Sequence, residues 1–244
     1  MNKTEGSFII LDQVDSTNNY AMGLIHSGMA KSETAILAIE QTNGKGRQNK
    51  EWRSGKGENI TMSVIKEHSS LPIYRQFELS MVVSLACVDF FNIFNLGAQI
   101  KWPNDIFLND KKAGGILIEN VILGSQVRWS VIGIGININQ KVFESNIIAT
   151  SISMATGVEY DIVQMAKALK QCLQKRMELL GLNMGSEILE EYNKSLFKIN
   201  LNCRIKRGNA IFETTIKGVN MNGELMTKDT MERVFELNEV QWLL

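Results

Sequence analysis

Proline, cysteine and histidine are scarce in this 244-residue chain, at two, three and two residues. Cys87, Cys172 and Cys203 lie far apart in apolar-patterned segments. That spacing gives neither a disulfide framework nor a zinc site, and a reducing cytoplasm is the default setting. His26 and His68 form no metal-ligand pair, so chemistry built on a histidine base or a cysteine nucleophile has little support. No apolar run reaches the roughly 18 residues that span a bilayer. The N-terminal stretch MNKTEGSFIILDQ lacks the apolar core of a signal peptide, so no membrane partner is expected. An excess of one charge is missing too: 26 Lys and Arg balance 26 Asp and Glu. A chain so balanced carries no electrostatic footprint for nucleic acid. What remains, 44% hydrophobic and 21% charged residues, is ordinary for a soluble globular protein.

The scarcity of proline gives Pro103 its weight. It sits in Lys101–Glu119, KWPNDIFLNDKKAGGILIE, where it fixes φ at a corner that Asn104 and Asp105 can close through side-chain bonds to backbone. Asn109-Asp110-Lys111 reads as a tight turn returning the chain antiparallel, with Lys112 opposite the corner. A carboxylate and two lysines would then meet beside the bare backbone of Gly114-Gly115, an arrangement suited to a polyanion with a metal ion. The plain alternative is a solvated hairpin.

Other segments have similar texture. After a strand at Phe8–Leu11, Asp15-Ser16-Thr17-Asn18 reads as a helix start with Asp15 or Ser16 as cap, capping alone being the plain alternative. A buried strand over Thr34–Glu40 runs into Gln41–Lys50, a loop with two glycines, three cations and no apolar residue; either a solvated connection or an anion site fits it. It lacks the Walker pattern. Trp52 and a strand at Ile60–Ile65 follow. Tyr74–Asn92 is predicted as a helix with one apolar face of Phe77, Met81, Leu85 and Val88. In the strand ending at Asn139, Ile132, Ile134, Ile136 and Ile138 share one face, and Gly133, Gly135, Asn137 and Asn139 the other. Glycine there marks close approach of a ligand or another backbone. A helix within Val158–Leu180 is expected to stop at Gly181, and another spans about Ser186–Ser195. Short alternating strands from Cys203 onward, with turns at Gly208-Asn209 and Asn222-Gly223, suggest a small β-barrel.

Four pieces converge: Ser16-Thr17-Asn18, the loop Gln41–Trp52 with its Q-T-x-G-x-G-R pattern, KWPND followed by K-x-G-G-I-L-x-E, and G-x-G-I-N. Their order and spacing over residues 15–139 resemble the biotin protein ligases. The resemblance implies an α+β fold: a mixed β-sheet with flanking helices, of the class II synthetase-like biotin–lipoate ligase type, over residues 1–197, and an SH3-like barrel over residues 198–244. It also implies a cytoplasmic enzyme. Some members carry a DNA-binding domain ahead of the catalytic one. With the STN motif at Ser16, this chain is expected to be a short form without DNA as a partner.

The implied reaction forms biotinyl-5′-AMP from biotin and ATP with Mg²⁺, then transfers biotin to a lysine of a biotin carboxyl carrier protein. By resemblance Ser16, Thr17, Asn18, Gln41, Lys45, Gly46, Arg47, Lys112, Gly115 and Gly133 face biotin. Arg47, Trp52, Asn104, Lys112 and Asn137 face the adenylate, and Asp105 helps hold the metal. Lys112 and Arg47 are the expected catalytic pair. Lys45 stands where many relatives have arginine and so lacks a bidentate fork. A homodimer could form through the edge of the Ile116–Leu123 strand. A lipoate or octanoate ligase is the nearest rival, against which the ureido-suited Ser16, Thr17 and Gln41 argue. A non-catalytic sensor is the other, against which Lys112, Arg47 and Asp105 argue.

Overall fold

The computed structural model describes residues 7–144, 148–180, 182 and 184–243. The expected stop at Gly181 lies outside them. Seven strands form a mixed sheet: β1 (Phe8–Val14), β2 (Ala35–Gln41), β3 (Asn59–Glu67), β4 (Gln99–Lys101), β5 (Asp105–Leu108), β6 (Lys111–Leu123) and β7 (Gln126–Asn137). Their order is β1-β2-β3-β7-β6-β5-β4. Among the described strand pairs of this sheet, only β1–β2 is parallel, because helix α1 (Thr17–His26) crosses between those two strands; the other strand pairs are antiparallel.

The alternation in β7 decides which face is which. Ile132, Ile134, Ile136 and Ile138 are buried in the main core, under α2 (Gln76–Asn92) and α4 (Ile162–Leu179). Each such isoleucine contributes on the order of 1.5–3 kcal/mol by leaving water. The opposite face holds a smaller cluster, in which Ala21 of α1 packs on Ile36, Ile65 and Val131. The glycine face of β7 therefore points to the side that carries α1.

Helix α2 departs from its expected single apolar face. Thirteen of its residues are buried, Glu78 among them. The sheet covers one side and α4 and α5 (Gly185–Lys194) the other. Its buried carboxylate, Glu78, meets the guanidinium of Arg75, and the partly exposed Asp89 pairs with Arg176 at 2.6 Å. It also starts at Gln76, two residues later than Tyr74, after a 3₁₀ turn. A short helix α3 (Ile152–Thr156), capped by Ser151, was not read from the sequence.

The C-terminal segment forms a second, antiparallel sheet, ordered β11-β10-β9-β8-β12. Its strands are β8 (Asn202–Arg207), β9 (Ala210–Val219), β10 (Leu225–Lys228), β11 (Glu232–Phe235) and β12 (Gln241–Leu243), within two residues of the alternation read from the sequence. The three cysteines are free. Among the described residues, no helix is long and apolar enough to cross a membrane.

His68, 7% exposed, lies 2.9 Å from Ser130 Oγ. Burial, aided by Lys66, lowers its pKa to about 4. The fold favours neutral imidazole, so this stabilisation is complete above the ordinary value of 6.5 and is lost as pH falls towards 4. Denaturant unfolding of His68→Gln should show a shallower loss of stability between those pH values than the unaltered chain. The difference should be at most roughly 3 kcal/mol, at 1.36 kcal/mol per pH unit. Parallel pH curves would contradict this.

Candidate active site

On the glycine side of the sheet lies a cavity of about 790 Å³, within the range of small-molecule sites. Ser16, Thr17, Asn18, Gln41, Lys45, Gly46, Arg47, Trp52, Asn104, Asp105, Lys112, Gly115 and Gly133 all line it. Asn137, expected at adenine, does not. It is buried, and its amide nitrogen donates to the carbonyls of Lys112 and Thr150. Its place in the strand was legible, but not that neighbouring backbone would take its donors.

One end is built on the first turn of α1. Ser16 occupies the N-cap position with extended φ and ψ of −153° and 133°, yet its hydroxyl makes no capping bond. Gln41 caps instead, its Oε1 accepting from Thr17 N at 2.8 Å and Thr17 Oγ1 at 3.1 Å. Capping therefore leaves the Ser16 hydroxyl unused. Behind these residues sits Ser63 of β3, absent from the sequence reading. Its Oγ lies 2.7 Å from Thr17 Oγ1 and 2.6 Å from Asn18 Oδ1. A serine among the apolar residues of the strand expected at Ile60–Ile65 was the available signal; its complete burial shows only in the fold.

The glycines admit close neighbours, as expected, but protein fills the space. A Cβ on Gly133 would sit 2.3 Å from Asn18 Oδ1. Asn18 is pinned there, donating to Glu119 at 2.7 Å and to the Leu117 carbonyl at 3.3 Å. The bare backbone of Gly133 thus makes room for Asn18 at the cavity wall. Over Gly135 and Gly115 lies the indole of Trp52, 2.4 and 3.3 Å from where a Cβ would be. The Trp52 Nε1 is buried without a hydrogen-bond partner.

Further across the sheet is the charged centre. Asn109 and Asp110 take φ of 49° and 60°, as a type I′ turn requires, and β5 and β6 form the expected hairpin. Asp105 pairs with Gly115, and Lys112 with Phe107 rather than with the corner itself. The Lys112 side chain still reaches back, placing Nζ 2.7 Å from Asp105 Oδ1. Its backbone is tied to residues 148–150: Lys112 N donates to the Ile148 carbonyl at 3.0 Å, and Thr150 N to the Lys112 carbonyl at 2.9 Å. Asn104 closes the corner by donating to the Ile116 carbonyl at 2.9 Å. Lys101, opposite Asp105 in register, also lines the cavity. Burial lowers its pKa, with Asp105 acting against the shift.

The loop Gln41–Trp52 is folded on itself: Trp52 N donates to the Gly44 carbonyl, Gly46 N to that of Lys50, and the backbones of Lys45 and Glu51 pair as an isolated antiparallel bridge. Lys45 donates to Asn19 Oδ1. Arg47 crosses to the C-terminal sheet, donating to Asn238 Oδ1 at 2.9 Å. Burial lowers its pKa, against Asp105 and Tyr192. Lys206, Gln241 and Trp242 complete that wall, a contribution unseen in the sequence because it joins residues 140 positions apart.

As a whole, the cavity runs from neutral donors and acceptors, past an apolar shelf, to a cluster of cations around one carboxylate. That order fits a ligand with a polar uncharged head and an anionic tail. Among the described residues, no three His, Cys, Asp or Glu side chains converge as a metal site. Asp105, beside Lys112, suits a Mg²⁺ that arrives on nucleotide phosphates, since that ion typically takes one or two carboxylates plus phosphate oxygens.

Known proteins share this organisation. A bifunctional ligase/repressor BirA of Bacillus spizizenii is 30% identical over 242 residues, covering 96% of this chain and 74% of its own length. A biotin–[acetyl-CoA-carboxylase] ligase of Paracoccus denitrificans is 36% identical over 132 residues, 53% of each chain. The solved biotin protein ligase from Aquifex aeolicus in complex with biotin and ATP superposes with a TM-score of 0.79 at 21% identity, covering 97% of this chain and 98% of that one. With the sequence pattern of the family matching residues 10–137, the chain belongs to the biotin/lipoate A/B protein ligase family.

Proposed function

We propose that this protein joins biotin to a lysine of a biotin carboxyl carrier protein through biotinyl-5′-AMP. The observation that carries this reading is the ordering of one cavity. Hydrogen-bonding groups for a ureido ring lie at Ser16, Thr17 and Gln41, the glycine shelf lies under Trp52, and Lys112 lies 2.7 Å from Asp105. Relatives and fold neighbours include a biotin–[acetyl-CoA-carboxylase] ligase and a Leishmania major biotin protein ligase in complex with biotinyl-5-AMP.

In the first step a biotin carboxylate oxygen attacks the α-phosphorus of ATP. The bond to the β-phosphate oxygen breaks, and pyrophosphate leaves. In the second step the carrier amine attacks the anhydride carbon, a C–N bond forms, the C–O bond to phosphate breaks, and AMP departs as the nitrogen loses a proton. Neither step needs an enzyme nucleophile. Both need anions held together, so positioning and charge stabilisation dominate. Lys112 faces the biotin carboxylate and the α-phosphate. Arg47 offers a planar fork to the same oxygens, Lys45 and Gly46 line the path of the biotin tail, and Asn104 fixes the corner. Mg²⁺ with Asp105 would neutralise phosphate charge. Trp52 supplies a face for adenine, and a ligand on the glycine shelf displaces its indole. We assign residues 1–197 to catalysis and 198–244 to a separate small domain. The three free cysteines support a reducing, cytoplasmic setting. Beyond Ile116, where Asn104 is the last partner, the β5-facing edge of β6 is open to a second copy of the chain.

Pyrophosphate release with biotin and with lipoate as alternative substrates tests the reading. Biotin should drive release and lipoate should not; the reverse would make this a lipoate ligase. The loop Gly44–Trp52 closes over the adenylate and keeps water from the anhydride. Arg47→Gly should therefore release labelled biotinyl-AMP into solution at least about tenfold faster, the loss of one charge-assisted contact. Unchanged retention would count against this role.

A further inference from the structure

The C-terminal sheet grips the reaction centre at one point. Trp242 of β12 donates its indole N–H to the Trp102 carbonyl at 3.1 Å, and Trp102 returns its own N–H to the Gly223 carbonyl at 2.9 Å. Lys101, which precedes Trp102 in the chain, lines the substrate cavity beside both tryptophans. Its Nζ lies 4.8 Å from the Phe107 ring centroid and 5.9 Å from that of Trp242. Trp242 thus fixes the backbone on one side of Lys101 and offers a ring face to its ammonium group.

The sheet order says what that ammonium meets. From Gln41 on β2, the cavity crosses β3, β7 and β6 to Asp105 on β5 and Lys101 on β4. Neighbouring strands are about 4.8 Å apart, so Lys101 stands beyond Lys112 on the side away from the glycine shelf. In phosphoryl displacement the attacking and leaving oxygens are roughly in line. A carboxylate that comes from the shelf towards an α-phosphate at Lys112 expels the leaving group in the direction of β5 and β4. We propose that Lys101 binds the pyrophosphate leaving group and that Trp242 of the C-terminal sheet is the positioning residue that holds it there. This rests on the ligase reading above and gives the C-terminal sheet a part in the first half-reaction.

The test uses the full chain and separates the two half-reactions. Biotin-dependent exchange of labelled pyrophosphate into ATP gives a KM for pyrophosphate. Transfer from supplied biotinyl-5′-adenylate to a carrier domain reports the second step alone. Lys101→Met should raise the pyrophosphate KM about 10- to 100-fold, the factor for one charge-assisted hydrogen bond, with transfer from supplied adenylate changed less than about twofold. Trp242→Ala should move the same KM in the same direction. Trp242→Phe, which keeps the ring and loses the N–H, should fall between, and the Lys101→Met/Trp242→Ala double variant should be no worse than Lys101→Met alone, as expected when one residue acts through the other. An unchanged KM in Lys101→Met overturns the proposal. So does equal loss of both half-reactions in Trp242→Phe and Trp242→Ala, which would make Trp242 merely structural. Absence of exchange in the unaltered protein would instead remove the ligase reading itself.

Discussion

Lys112→Met should lose adenylate formation by at least about 10³-fold in biotin-dependent pyrophosphate exchange, while its melting temperature stays within about 3 °C of the unaltered chain. The first number follows from the position of Lys112. A preorganised donor aimed at charge that develops in the transition state is worth about 10²–10³ when removed, and Lys112 carries a full charge between two anions that must meet. The second follows from its exposure. The Lys112 and Asp105 side chains remain 32% and 21% exposed, and an ion pair that open to water contributes at most about 1 kcal/mol. The backbone of Lys112, which holds residues 148–150, is untouched by the substitution. A fall in activity accompanied by an equal fall in stability would mean that Lys112 is structural.

Gly133→Ala should act in the opposite way, on folding and on biotin binding together. The new Cβ would lie 2.3 Å from Asn18 Oδ1 and 3.0 Å from the Leu117 carbonyl oxygen. The second contact is backbone at the centre of the sheet and cannot retreat, so Asn18 must move. Its movement would break the bonds to Glu119 and Ser63 and, through Ser63, disturb Thr17 and Gln41. Forcing a methyl into a packed site costs about 1–3 kcal/mol, which in a chain of this size lowers the melting temperature by roughly 2–12 °C. Biotin affinity by calorimetry should fall at least about tenfold, the cost of one mispositioned hydrogen bond. Gly135→Ala is the informative partner. Its Cβ would meet the ring of Trp52, 2.4 Å away, on a loop side chain that can swing aside, so its melting temperature should change less.

These two substitutions also mark how far the sequence could be read. Alternation in β7 announced a crowded glycine face, because glycine reports room. It could not say who takes the room: Asn18 comes from 115 positions away and Trp52 from 83, counted against Gly133 and Gly135. The β5–β6 hairpin was legible because Asn109 and Asp110 tolerate positive φ. The meeting of Lys112 with Asp105 followed from that local turn. Asn137 shows the converse. An amide beside glycines suggested a ligand contact, yet the nearest carbonyls, those of Lys112 and Thr150, claimed its hydrogens first. For α2 the apolar stripe was real but too narrow a description, since helices on one side and the sheet on the other bury it nearly all round. The wall supplied by the C-terminal sheet was wholly illegible: Trp242 and Trp102 meet only because two sheets pack together.

The most direct measurement for the central claim is the intact mass of a biotin carboxyl carrier domain after incubation with this protein, biotin, ATP and Mg²⁺. The account predicts the addition of one biotinyl group, on the acceptor lysine, dependent on ATP and absent when that lysine is arginine. An unchanged mass under conditions where a known biotin protein ligase modifies the same domain would contradict it.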